Sequence, residues 1–180
     1  CIPAVGAWRR MPALRSARMT SLIYPLPACA LGRTFKRLVF DARALDTLYS
    51  ERQLKPSQPE SGGQLLGTFS DDAVQIVTVT IPSRDDVRSR FGFARLQATE
   101  QAEIDEAFSA GLHYLGDWHS HPEYKPSPSS IDVITAKKLF RTSKSELRNF
   151  LMVIVGTSEN ASDLYVALVN GRRVRRLTQI

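Results

Sequence analysis

At 180 residues, 43% of them apolar and 23% charged, the chain has the make-up of one ordinary globular domain large enough to bury a core. Its net charge of +6 does not describe a nucleic-acid binder: residues 1–40 hold seven basic groups and no acidic one, while the rest carries 17 basic against 18 acidic, leaving the folded part without a cationic surface for a duplex. The two cysteines, Cys1 and Cys29, form no disulfide framework, which points to the cytoplasm and leaves any metal site to nitrogen and oxygen ligands.

The chain opens on Cys1 rather than Met, and Met11 and Met19 are candidate internal starts. The Arg-rich leader could be a targeting peptide, but Pro3, Pro12, Pro25 and Pro27 interrupt its helical periodicity. LIYPLPACAL is too short and too proline-broken to span a membrane. Residues 1–33 are therefore expected to be a tail, disordered or an over-extended reading frame, and 34–180 the folded domain. The stretch 34–53 reads as a short strand running into a helix, with Leu45, Leu48 and Tyr49 on one face. KPSQPES is a loop. GGQLLGTFS and AVQIVTVTI flank Asp71-Asp72 as a hairpin, Val74, Ile76, Thr78 and Thr80 sharing one phase. PSRDDVRSRFGF (82–93) is a charged loop, and 95–111 a helix capped by Thr99 and stopped at Gly111.

HYLGDWHSH (113–121) reads as a strand with two histidines at its C-terminal end, followed by a loop stiffened by Pro122, Pro126 and Pro128. Ser129 opens a helix to about Arg141 through a capping box with Asp132. LRNFLMVIVG is a continuous apolar run of the kind a fully buried strand shows. DLYVALV, Asn170-Gly171 and RRVRRLTQ make a closing hairpin, whose arginines read as a solvated edge that blocks edge-to-edge pairing rather than as a binding patch. The sum is α+β: a mixed or antiparallel sheet with two or three helices packed on it.

Three histidines in the whole chain, two of them one residue apart, form a poor plain core. Positions i and i+2 of a strand share a side, so His119 and His121 project together. Asp132, on the first helical turn, faces back across the loop as a third ligand. Two imidazoles and a carboxylate are an open-site set for zinc, which leaves a fourth position for water and lowers that water's pKa. Ser129, between the ligands, is placed to donate to an oxyanion. Glu60, ahead of Gly62 and Gly63, is the expected general base; the paired glycines allow close backbone approach at a strand edge. Each residue also has a plainer reading. Ser129 and Asp132 would make a capping box in any case, Glu60 could be merely solvated, and His113 lies outside the spacing as a structural residue. Trp118 is core or a wall of the site. Arg84, Arg88 and Arg90, with Phe91 and Phe93, could guide a substrate tail or be ordinary surface groups. Glu123 and Lys125 are expected to be solvated.

ESGGQLLG, GDWHSHP and PSPSSID together resemble the JAB/MPN+ (JAMM) zinc metalloproteases, whose pattern is an upstream Glu with H-x-H-x7-S-x-x-D; all five positions are present. The resemblance runs from about residue 36 to 170. In VTIPSRDDVRSRFGF, GLHYLGDWHSHPEYKPSPSS and GGQLLG it is similar to bacterial JAB proteins of mobile elements, some of which accompany anti-phage cGAS-like nucleotidyltransferases and ubiquitin-type conjugation enzymes. It implies a cytidine-deaminase-like α/β fold, with a curved, mostly antiparallel sheet between helices. It also implies a Zn2+ cofactor on His119, His121 and Asp132, with Glu60 as base and Ser129 supporting the oxyanion. The implied activity is hydrolysis of an isopeptide or peptide bond after the C-terminal tail of a conjugated protein, either ubiquitin-like or of nucleotidyltransferase type. Three rivals stay open: a scaffold or binding module, a metal hydrolase acting on another substrate, and a protease that trims a ubiquitin-like precursor.

Overall fold

The computed structural model describes residues 21–32, 34–89, 92–94 and 96–179. In chain order the elements are β1 (Leu22–Pro25), β2 (Arg37–Phe40), α1 (Ala42–Ser50), β3 (Gly62–Phe69), β4 (Ala73–Val79), β5 (Val87–Ser89), β6 (Gly92–Ala94), α2 (Gln97–Ser109), β7 (His113–Ser120), α3 (Ser130–Thr142), β8 (Phe150–Val155), β9 (Tyr165–Val169) and β10 (Val174–Arg176), with a 3₁₀ turn at Ala161–Asp163 before β9. Eight strands form one mixed sheet in the order β1-β2-β4-β3-β7-β8-β9-β10, and β5 pairs with β6 as a separate hairpin. Two neighbouring pairs, β2–β4 and β7–β8, are parallel; the others are antiparallel. A parallel pair needs a crossover, and α3 supplies the one between β7 and β8.

The apolar run 150–155 is buried at every position because β8 is covered on both faces. Leu151, Val153 and Val155 point into the main core with Leu45, Leu48, Val74, Ile76, Leu115 and Trp118, while Met152 and Ile154 join Tyr165, Ala167 and Val169 on the other face, where Ala136 of α3 packs. α1 thus closes one side of the sheet, and α3 lies on the side that carries the histidines. Asp41 starts α1 by accepting from the Arg43 N–H at 2.9 Å.

Several expectations are corrected. Residues 22–25, assigned above to the tail, form the edge strand β1, paired antiparallel with β2; Leu22 and Tyr24 are buried, and Ile23 and Pro25 face out. An edge strand tolerates the missing N–H of proline, so Pro25 breaks nothing. In β4 the single phase fails: Leu66 pairs with Thr78 but Gly67 with Ile76, so Val77 is a bulged residue and Val79, not Thr78, is buried. The charged loop 82–93 contains the β5–β6 hairpin. Helix α2 starts at Gln97, two residues before Thr99, with Leu96 at the N-cap and no side-chain cap; Gln97 and Ala98 are good helix formers and extend it. The C-terminal hairpin holds as read. β10 is the far edge, Arg175 and Arg176 are exposed, and Arg176 lies over the Tyr165 ring at 5.2 Å. The leader (residues 1–20), Arg90 and Phe91 lie outside the described residues.

Candidate metal centre

A bulge aims the histidine strand. Leu65 pairs with Gly116 and Leu66 with Tyr114, so Leu115 is the extra residue of β7. Across it the alternation reverses phase: Leu115 and Trp118, three apart, share the main core. Tyr114 and Asp117 share the opposite face, where the Tyr114 hydroxyl donates to Asp117 Oδ1 at 2.9 Å. His119 follows Asp117 on that face. Gly116 permits this with a φ of 143°, and a Cβ there would sit 2.0 Å from the Leu151 carbonyl oxygen. Bulges beside functional sites re-aim side chains in this way.

β7 ends at Ser120, but the strand direction carries on: His121 N–H donates to Val155 O at 2.9 Å and Thr157 N–H to Glu123 O at 2.8 Å. The loop after the histidines is thereby held against the end of β8. Glu123 Oε2 accepts from the Ser127 N–H at 3.1 Å, and Lys125 pairs with Asp163 at 3.4 Å. Both side chains are exposed, as expected, and also brace the loop, although the exposed lysine pair adds little stability. Ser129 then caps α3. Its Oγ accepts from the Asp132 N–H at 3.2 Å while Asp132 Oδ2 accepts from the Ser129 N–H at 2.6 Å. The capping box is complete, and it fixes where the carboxylate points.

It points at both imidazoles. Asp132 Oδ2 lies 3.6 Å from His119 Nε2 and 3.4 Å from His121 Nε2, with the two rings 4.9 Å apart. One ligand atom from each of the three residues falls within 4.8 Å of the others, so together they could hold a metal ion. His119 Nε2 is buried and has no hydrogen-bond partner among the described residues. A buried ring nitrogen without a partner is costly, and a cation at the centre of the three donors would satisfy it; the residues therefore fit a divalent ion of nitrogen and oxygen preference. Burial alone would raise the Asp132 pKa, but the two imidazoles beside it, with the Ser129 hydrogen bond, hold it well below the carboxylate range. Burial alone would lower His121, and Asp132, seconded by the charges of Glu60 and Glu123, raises it instead.

Glu60 lies in the same cleft, of about 620 Å³, with His119, His121, Ser129 and Asp132. Burial pushes its carboxyl pKa up, against the lowering influence of His119 and His121. Gly63, the second residue of β3, approaches Thr80 so closely that a Cβ would sit 2.1 Å from the carbonyl oxygen, the close backbone contact expected of the paired glycines. The remaining site candidates separate. Trp118 is 1% exposed, packs in the core and donates its indole N–H to Thr80 O at 2.9 Å, so it borders the cleft with almost none of its surface. The Arg88 guanidinium turns toward the Glu60 carbonyl and Ser61 Oγ, at 2.8 and 2.6 Å. His113 sits between Phe69 and Phe108, with ring centroids 4.9 and 5.8 Å away, apart from the cleft.

Sequence reasoning passed over Tyr114 and Asp117 in the cleft lining, the buried pair Ser61 and Ser120, and Gly116. Tyr114 and Asp117 sit three apart in a strand, a spacing that without the bulge puts them on opposite faces. Gly116 alone carried a signal, since an isolated glycine inside a strand pattern marks a bulge or a close approach.

Fold and site define a mixed α/β domain with an open His-His-Asp centre. Residues 42–169 match the family described as prokaryotic homologues of the JAB domain (Prok-JAB), and the chain belongs to that family. It is 34% identical over 125 residues to a protein of Vibrio cholerae named CD-NTase/cGAS isopeptidase, covering 68% of this chain and 78% of that one. It is 30% identical over 107 residues, 56% of this chain and 65% of the other, to a probable metalloprotease, y4qB, of Sinorhizobium fredii. Among solved structures, protein DSY2949 of Desulfitobacterium hafniense has the same fold, with a TM-score of 0.56 and 19% identity over 77% of this chain and 88% of that one. No helix among the described residues is long and apolar enough to cross a membrane.

Proposed function

We propose that this chain is a zinc-dependent isopeptidase of the JAMM type. It hydrolyses the bond after the C-terminal tail of a conjugated protein, cGAS-like nucleotidyltransferase in kind or ubiquitin-like, in the bacterial cytoplasm and in the service of anti-phage defence. The reading is carried by one observation: two imidazoles and a carboxylate converge within 4.8 Å, with a buried His119 Nε2 that has no hydrogen-bond partner among the described residues. The name of the Vibrio relative supports the substrate class.

In this mechanism His119, His121 and Asp132 would hold the zinc. When bound, the ion supplies Lewis acidity to the scissile carbonyl and to the attacking water. Glu60, whose burial raises its proton affinity, takes the proton of that water and returns it to the leaving amine. Ser129 uses its Oγ lone pair on the Asp132 N–H and so keeps its proton to donate to the developing oxyanion. The capping box thus holds a ligand and an oxyanion donor in one rigid unit.

The test is cleavage of a cGAS-like nucleotidyltransferase fused through its C-terminus to a fluorescent protein. Glu60→Gln should keep the metal and lose about 10²–10⁴-fold in rate. Full activity in that variant removes Glu60 as the base, and a wild-type protein that takes up no zinc on reconstitution moves the reading to a scaffold.

A further inference from the structure

We infer that Arg88 is a positioning residue for Glu60, acting through the backbone of the base and not through the substrate; this rests on Glu60 being the base. Both polar backbone atoms of Glu60 are bonded to the β5–β6 hairpin. Its N–H donates to Ser89 O at 2.8 Å, and its carbonyl accepts from Arg88 Nε at 2.8 Å. The preceding segment, 55–59, is a proline-containing turn closed by Gln58 N–H to Lys55 O at 2.9 Å and tied to the buried Gln53, whose Nε2 donates to Gln58 O at 2.7 Å; the bonds to Glu60 itself come from the hairpin.

The second bond of Arg88 reaches the histidines. Its Nη2 donates to Ser61 Oγ at 2.6 Å, and that hydroxyl donates onward to Glu51 Oε2 at 3.1 Å. Ser61, 4% exposed, is locked to Ser120 in both directions: Ser61 N–H to Ser120 Oγ at 2.9 Å, and Ser120 N–H to Ser61 O at 2.8 Å. Ser120 lies between His119 and His121. One guanidinium therefore joins the hairpin, the base and the strand that carries two metal ligands. Its fork is what allows both bonds, since an ammonium is a single point donor on a flexible stem. A charge-assisted pair of this kind is stronger than neutral ones, and a displacement of about 1 Å at a catalytic group removes on the order of 10²-fold in rate.

Three measurements separate this from a substrate contact. Arg88→Ala should lower kcat for the fluorescent fusion about 10–100-fold with KM within about twofold and zinc content unchanged, and Arg88→Lys should recover part of the loss. In the Glu60→Gln background the added Arg88→Ala should leave both the residual rate and the affinity for the uncleaved fusion unchanged, because its effect passes through Glu60. Without any substrate, hydrogen exchange at the Glu60 and Ser61 amides should quicken at least about tenfold in Arg88→Ala while the His121 amide stays protected. If Arg88→Ala does not fold, Ser61→Ala, which removes one of the two acceptors, should show a smaller loss of the same kind. A raised KM with kcat intact, or unchanged exchange at Glu60, overturns the inference. An active Glu60→Gln enzyme overturns the base assignment instead, and the exchange result then still decides whether Arg88 holds that segment.

Discussion

Substituting Gly116 by alanine tests whether the bulge in β7 sets the metal centre. At a φ of 143° the added Cβ would meet Leu151 O at 2.0 Å and Leu151 N at 2.6 Å. Both are backbone atoms of the paired strand, so no rotamer change relieves the contact. Dihedral strain for a non-glycine residue is about 1–3 kcal/mol, and losing one or two ladder hydrogen bonds adds about 1 kcal/mol each. The sum, about 2–5 kcal/mol, corresponds for a chain of this size to a fall in Tm of roughly 4–20 °C. Gly111 is the internal control. Its φ is 80° but nothing lies within 4 Å of a Cβ there, so only the left-handed strain remains, about 1–2 kcal/mol, or roughly 2–8 °C. Thermal melts of Gly116→Ala and Gly111→Ala, with zinc content on each, make the comparison. Gly116→Ala should also bind zinc more weakly, because His119 and the register to Val155 follow from the bulge. Equal Tm shifts in the two variants, or full zinc binding in Gly116→Ala, would refute the reasoning.

Elemental analysis should find about one zinc per chain in the wild type and little in His119→Ala or Asp132→Ala. In metal-free protein the raised His121 pKa contributes stability that is fully present below its ordinary 6.5 and is lost as pH rises through the folded value. The lowered Asp132 pKa contributes stability present above its ordinary 3.8 and lost as pH falls toward the folded value. Tm of the apo-protein should therefore be highest between those two ordinary values, and Asp132→Asn should flatten both limbs. Ser120→Ala leaves the buried Ser61 N–H without its side-chain acceptor, which should cost about 1–3 kcal/mol in a denaturant titration.

What was legible in the chain tracks how local each determinant is. The Phe150–Val155 run announced a strand buried on both faces, and the structure splits its alternate residues between two clusters. The ligand spacing needed only the period of a strand and a cap of one helical turn, so His119, His121 and Asp132 could be brought together on paper. Glu60 was harder, because 59 positions and a strand pairing separate it from His119; the Gly63 contact, the Ser61–Ser120 pair and the β5–β6 hairpin, all tertiary, bring it into the cleft. The bulges at Val77 and Leu115 were invisible for the same reason. A bulge exists only relative to the partner strand, and each one reverses the inside–outside phase that sequence patterning assumes constant.

The two kinds of determinant meet at Ser129. A serine that caps a helix and an aspartate three residues on are common for reasons unconnected with chemistry, and here both hydrogen bonds of the box are made. The box nevertheless leaves Asp132 Oδ2 facing two imidazoles and the serine proton unspent. Local helix-start physics therefore orients the proposed ligand and the proposed oxyanion donor through hydrogen bonds three residues apart, with no long-range contact needed for that bond pair. Glu60, the proposed base, depends instead on the sheet and on the β5–β6 hairpin. Perturbing the hairpin should consequently impair turnover without releasing metal, whereas perturbing the cap should do both.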